Sequence, residues 1–206
     1  MPRPLTTARA STSIRRKVVQ SVFDAFGFAA LRQHPLNVYA TINLPDDAPG
    51  EAVRAFAVVR KRHAAWLDYK RRKDGEAAQL FPHYAYAFER PGSQTHVNWV
   101  LHVPADLREE FAAKLDTWLE RAGVSVRPFD VKIKALATQA DSKRVANYVM
   151  KGVEEGYADH FHLSGIATPQ GIILGKRAGC SRSLADAARK EGMFDRRAAH
   201  RLARVA

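Results

Sequence analysis

The chain has 206 residues, 46% of them apolar and 26% charged, with a formal net charge of +12 and a single cysteine. That is enough apolar content for one domain with a sizeable core, while nothing approaches the roughly 20 consecutive apolar residues of a membrane span, no apolar leader is expected, and the lone Cys180 excludes an internal disulfide, which suits a cytoplasmic protein. The charge is uneven: residues 1–36 hold six Lys/Arg against one acid and residues 176–206 hold nine against three, around a nearly neutral body, as expected of basic arms that grip a nucleic acid.

Residues 1–13, rich in Pro, Thr, Ser and Arg without periodicity, read as loosely held, and residues 14–32 as a short basic helix with Ile14, Val18, Val22 and Phe26 at helical spacing. Residues 1–36 are therefore expected to form a basic N-terminal extension. Alternation predicts a strand over 37–44, with Val38, Ala40, Ile42 and Leu44 on one side and Asn37, Tyr39, Thr41 and Asn43 on the other. A helix follows over about 50–72, with Ala52, Phe56, Val59, His63, Trp66 and Lys70 on or near one face, and the KRRKDGE run at 70–76 ends it as a solvated turn.

Residues 81–104, FPHYAYAFERPGSQTHVNWVLHVP, hold two alternating runs around a turn-rich PGSQ, the pattern of an antiparallel hairpin. With Glu89 opposite His96, residues Tyr84, Tyr86 and Phe88 share a face with Val97, Trp99, Leu101 and Val103, and that face is a core. The other face carries Glu89, His96 and Asn98, with His83 and His102 further along. Residues 105–122 read as an amphipathic helix with Leu107, Phe111, Leu115, Trp118 and Leu119 inward and Gly123 as its stop. A fourth strand is expected over 129–137, with Phe129, Val131, Ile133 and Ala135 opposed to Asp130, Lys132 and Lys134. Ser142 then caps a helix to about residue 155 that contains Tyr148 and Lys151.

This order predicts an α+β protein, a ferredoxin-like βαββαβ antiparallel sheet with helices on one face and an extra helix bearing Tyr148. The polar faces of the strands would form an open platform. Residues 37–163 make up this domain and 164–206 a basic C-terminal extension, a short strand, a Gly-flanked basic turn with Lys176, Arg177 and Arg182, and a helix capped by Ser183. The turn offers cations for phosphates, as do Tyr39, Thr41, Lys132 and Lys134 on the platform.

His96 and Asn98 lie about 7 Å apart on one side of a strand. With Glu89 they make a mixed nitrogen and oxygen set that suits Mg2+ or Mn2+. Tyr148 and Lys151 are neighbours on a helix face. A phenol becomes a useful nucleophile when its target is polarised, and an adjacent ammonium and a metal supply that polarisation. The paired His160 and His162 follow the tyrosine helix without a strand context and rank below His96.

Together VYATINL at 38–44, His96-Val97-Asn98 preceded by Glu89, and Tyr148-Val149-Met150-Lys151 resemble the three motifs of the HUH endonuclease superfamily, specifically the replication initiator (Rep) proteins of rolling-circle plasmids and phages, over roughly residues 37–155. The resemblance implies metal-dependent nicking and joining of single-stranded DNA at a replication origin. Tyr148 would attack a phosphate polarised by a divalent ion on Glu89, His96 and Asn98, leave a 5′-phosphotyrosine, and be assisted by Lys151; a host helicase is a possible further partner. The sequence departs from the family at Asn98, where most members carry a second His. The alternatives are a non-catalytic single-stranded nucleic-acid-binding protein with an open sheet, and an inactive relative of the family.

Overall fold

The computed structural model describes residues 9–45, 48, 50–73 and 80–195. The expectations for residues 1–8, for the end of the basic turn at 74–76 and for the basic run at 196–206 lie outside the described residues. Among the described residues the strands and α-helices are, in chain order, β1 (Ala10–Ser11), α1 (Arg16–Leu31), β2 (Val38–Leu44), α2 (Glu51–Lys73), β3 (Tyr84–Glu89), β4 (Thr95–Leu101), α3 (Arg108–Glu120), β5 (Val131–Ala135), α4 (Gln139–Val149), β6 (Ile173–Leu174), β7 (Ala178–Cys180) and α5 (Asp186–Glu191). The architecture is α+β. A five-stranded sheet runs in the order β5-β2-β4-β3-β7, all pairs antiparallel, and β1 pairs with β6 in a separate two-stranded ribbon.

Period-two alternation gives the sheet two distinct faces. On the first, Val38, Ala40, Ile42 and Leu44 of β2 meet Tyr86 and Phe88 of β3 and Val97, Trp99 and Leu101 of β4, under Phe56, Val59 and Trp66 of α2 and Phe111, Leu115, Trp118 and Leu119 of α3. Edge-to-face contacts dominate this core, Phe56 standing 5.4–5.5 Å from the rings of Tyr86, Phe88 and Trp99. His63 is fully enclosed in it, 5.1 Å from Trp99, and burial pushes its pKa down to about 3. Lys70, expected near the same stripe, instead pairs with Glu110 at 2.6 Å. α3 ends at Glu120, and the turn after it closes at Gly123, the expected stop, whose φ of +81° suits a residue without a Cβ.

The second face corrects the open platform. Helices cover both sides of the sheet, because α1 lies across β3 and β7 and α4 packs on α1. Ala85, Ala87 and Ala178 present only methyl groups there, which lets Val19, Val22, Ala25, Phe28 and Ala29 of α1 approach closely, with Val149 and Met150 completing a second core. The buried stripe of α1 is thus rotated from the expected one: Val22 belongs to both, Val18 and Phe26 are at its edge, and Ile14 lies before the helix, bridged to Val153.

Residues set apart as N- and C-terminal extensions are therefore built into the fold. α1 supplies Val19, Val22, Ala25, Phe28 and Ala29 to the second core, β1 pairs with β6, and β7 is a strand of the main sheet. The fourth strand is shorter than expected. Phe129 precedes it with a φ of +73° and is 83% exposed, so it takes no part in an apolar face. Among the described residues, no helix is long and apolar enough to cross a membrane.

Candidate active site on the second face of the sheet

The β3–β4 hairpin has the register that its alternation predicts: Glu89 is the cross-strand partner of His96, and Asn98 lies between Ala87 of β3 and Thr41 of β2. Glu89 and Asn98 are almost fully buried, and a buried carboxylate is tolerated only when donors surround it. Three do. Asn98 Nδ2 donates to Oε1 at 2.7 Å, His96 Nε2 stands 2.9 Å from Oε2, and the Lys151 ammonium pairs with the same Oε2 at 3.0 Å. With a carboxylate as acceptor, the His96 contact puts the hydrogen on Nε2.

The far side of Asn98 is also engaged. Its Oδ1 accepts a short hydrogen bond from the Tyr39 hydroxyl and a long one of 3.5 Å from Thr41 Oγ1. Burial pushes the Tyr39 phenol up to about 12, so it keeps its proton and stays a donor. A chain of contacts therefore runs Tyr39–Asn98–Glu89, and His96 and Lys151 meet at its carboxylate end.

Lys151 arrives from a turn rather than from a helix. α4 begins at Thr138, not at Ser142: Thr138 Oγ1 accepts from the Asp141 amide and the Asp141 carboxylate accepts from the Thr138 amide, a reciprocal capping box, while Ser142 Oγ donates to the Leu36 carbonyl. The helix ends at Val149, and the chain turns so that the Lys151 amide donates to the Tyr148 carbonyl at 3.1 Å and the Lys151 carbonyl accepts from Thr168 at 3.0 Å. In this turn Lys151 Nζ lies 3.7 Å from the centre of the Tyr148 ring. Tyr148 itself is 44% exposed and close enough to Tyr39 for the two phenols to interact electrostatically. The five residues expected to carry chemistry thus meet on one side of the sheet, with Lys151 touching both Glu89 and Tyr148.

The residues expected to bind DNA separate into two groups. Lys132 and Lys134 of β5 are exposed and pair with Thr41 and Tyr39, so they extend the same face outward. Thr41 and Tyr39 spend their hydroxyls on Asn98. Arg182 is exposed in a 3-10 turn. Lys176 folds over Gly179, where an added Cβ would meet its Cε and Nζ at 2.9 Å.

Arg177 corrects the expectation for the basic turn. It is 3% exposed, and its guanidinium donates to the carbonyls of Phe88, Gln170, Ser11 and Gly171, so it fastens three backbone segments and offers nothing to a phosphate. Its five fixed donors explain the choice of Arg. Ser183, expected as a helix cap, instead contacts His83 Nδ1 at 3.0 Å and donates to the Pro82 carbonyl; α5 begins after Ala185 without a side-chain cap.

His83 and His102 do not reach Glu89. They lie at the other end of the hairpin with His34, whose ring is 5.6 Å from that of His83 and 5.0 Å from that of His102. Burial, with the neighbouring His34, His102 and Arg32, pushes His83 down to about 3; His102 is lowered too, chiefly by burial. His160 lies in a 3-10 turn and His162 follows it with a φ of +57°, away from any strand.

The expected metal set is present as neighbours but does not fit an ion as it is arranged. The ligating atom of Asn98 is turned to Tyr39, Nε2 of His96 carries the hydrogen toward Glu89, and both carboxylate oxygens have donors. Among the described residues, no group of three or more His, Cys, Asp and Glu is disposed to hold a metal ion. No protein-family model matches the chain, and no curated protein matches it.

Proposed function

We propose that this protein nicks and rejoins single-stranded DNA at the replication origin of a plasmid, phage or related mobile element, using Tyr148 as the nucleophile. The observation that carries this reading is the meeting of Tyr148, Lys151, Glu89, His96 and Asn98 on one side of the sheet, contributed by the β3–β4 hairpin and, some fifty residues later in the chain, by the end of α4 and the turn after it. The order of the four strands β5-β2-β4-β3 is also the order of a ferredoxin-like sheet, the scaffold that the resemblance implies.

In the proposed step the Tyr148 oxygen attacks phosphorus and the bond from phosphorus to the 3′ oxygen breaks. A 5′-phosphotyrosine and a 3′-hydroxyl result, the phenolic proton ending on the departing oxygen by way of solvent. One phosphodiester is exchanged for another, so no nucleotide is consumed and attack by a 3′-hydroxyl reverses the step. Tyr148 is exposed enough to meet a strand, and the Lys151 ammonium beside it balances charge on the phosphoryl oxygens. Lys132 and Lys134 lie along the outward continuation of this face and would attract the strand's backbone.

A second reading, a binding protein of the same shape without catalysis, is favoured by one feature, the closed hydrogen bonding of Asn98. Incubation with labelled single-stranded DNA carrying candidate origin sequences separates the two. A covalent adduct that survives denaturation and disappears in Tyr148→Phe supports the nickase. Adduct formation undiminished in that variant sinks the assignment of Tyr148, and binding without any adduct leaves the second reading.

A further inference from the structure

The geometry around Glu89 points to a cation that belongs to the chain itself. A divalent ion on this site would need a carboxylate oxygen, an imidazole nitrogen and an amide oxygen converging on one point. Here the carboxylate receives donors from three directions, and the ammonium in direct contact with it is Lys151 Nζ, at 3.0 Å from Oε2. Asn98 cannot turn its oxygen inward without cost: rotating the amide would remove the donor to Glu89 and set two acceptors against each other at the present 2.7 Å contact.

The lysine is also held in place rather than trailing from the surface. Its side chain is 12% exposed. Its peptide groups are tied to Tyr148 and Thr168, Met150 before it is fully buried, and Gly152 after it lies against Gln170 so closely that a Cβ would come within 2.9 Å of Cγ. The same ammonium touches the Tyr148 ring. Carboxylate, ammonium and phenol thus form a continuous line from the buried end of the site to its open end.

We infer that Lys151 is the resident cation of this site, occupying the place opposite Glu89 that a divalent metal would need, so that the charge on a bound phosphate is balanced by the lysine and the site takes up no metal. This inference rests on the nicking reading for the identity of the phosphate, but its central claim concerns cation binding and is tested without DNA. Electron paramagnetic resonance of Mn2+ added to the full chain measures uptake directly. Wild type and Lys151→Arg are expected to leave the free Mn2+ signal undiminished, whereas Lys151→Ala, which leaves Glu89 without its ammonium so that ion binding offsets the turning of Asn98 and His96, takes up one Mn2+ per chain, and Glu89→Gln in the same background abolishes that uptake.

Stoichiometric uptake by the wild type, lost in Glu89→Gln, overturns the inference. So does a folded Lys151→Ala chain that takes up nothing, because Glu89 would then not define a cation site. If circular dichroism shows that Lys151→Ala does not fold, the wild-type titration decides alone. A parallel adduct assay with origin-bearing single-stranded DNA in EDTA and in Mn2+ separates the two proposals. Equal adduct yields support the lysine and a metal requirement opposes it; absence of adduct under both conditions defeats the nickase while leaving the Mn2+ result to stand on its own.

Discussion

The Lys151 ammonium lies 3.7 Å from the centre of the Tyr148 ring, so the contact is with the ring face and not with the hydroxyl alone. Tyr148→Phe preserves that face and removes only the oxygen. Its stability should stay within about 0.5 kcal/mol of wild type in urea unfolding, as for surface changes generally, while any DNA adduct disappears. A large loss of stability would mean that the hydroxyl is structural and that the variant cannot report on chemistry.

Asn98 is expected to be intolerant of Asp. The substitution replaces the Nδ2 donor to Glu89 by an acceptor at the same place and sets two buried carboxylates against each other. A loss of about 2–4 kcal/mol at pH 8 is expected from the broken pair and the unpaired charge. Stability unchanged from wild type in urea unfolding at that pH would show that the Tyr39–Asn98–Glu89 line does not hold the site together.

Acid should destabilise the protein before its carboxylates titrate. His63 and His83 both have folded-state pKa values lowered to about 3 against an ordinary 6.5. The unfolded chain therefore binds protons that the folded chain refuses, and stability is fully present above pH 6.5 and falls progressively toward pH 3. At pH 5 each such histidine costs roughly 2 kcal/mol. Melting temperature between pH 7.5 and 4.5 tests this; His63→Leu should flatten the profile, and a slope equal to that of wild type would remove His63 as its source.

Arg177 and the β5 lysines should respond in opposite ways. Arg177→Met removes a donor from four carbonyls and is expected to cost about 4 kcal/mol, about 1 kcal/mol for each bond lost. Lys132→Ala with Lys134→Ala should leave stability nearly unchanged but weaken single-stranded DNA binding and flatten its salt dependence, by about 0.7 in log–log slope for each phosphate contact removed. A salt slope identical to that of wild type would take β5 out of the DNA path.

The hairpin was the most legible part of the chain because two independent alternating runs constrain each other: only one register puts Tyr86, Phe88, Val97 and Trp99 together, and that register sets Glu89 against His96. The cover of the second face was hidden because its sheet side is made of Ala85, Ala87 and Ala178, which carry no apolar signal strong enough to mark a core. Arg177 could not be recognised from residue type, since an arginine in a glycine-rich turn reads as a surface cation until the carbonyls around it are known. The T-x-x-D at Thr138–Asp141 did carry a readable capping signal, but Ser142 competes for the same role in sequence. Nothing in the spacing of Tyr39 announced that its hydroxyl would orient Asn98, because that contact joins different strands.

β7 pairs with β3 through Ala85 and Cys180, Tyr86 and Gly179, and Ala87 and Ala178. A nascent chain that has not yet delivered residues 178–180 therefore leaves β3, the strand that carries Glu89, as an open sheet edge with unpaired backbone groups, a template for association with other chains. The first and last thirds must both be synthesised before the hairpin is enclosed. Such dependence on contacts between distant residues slows folding. Protease cleavage within residues 164–177 would reproduce the exposed edge in the mature protein, so the carboxylate centre is only as durable as the short strand that closes the sheet beside it.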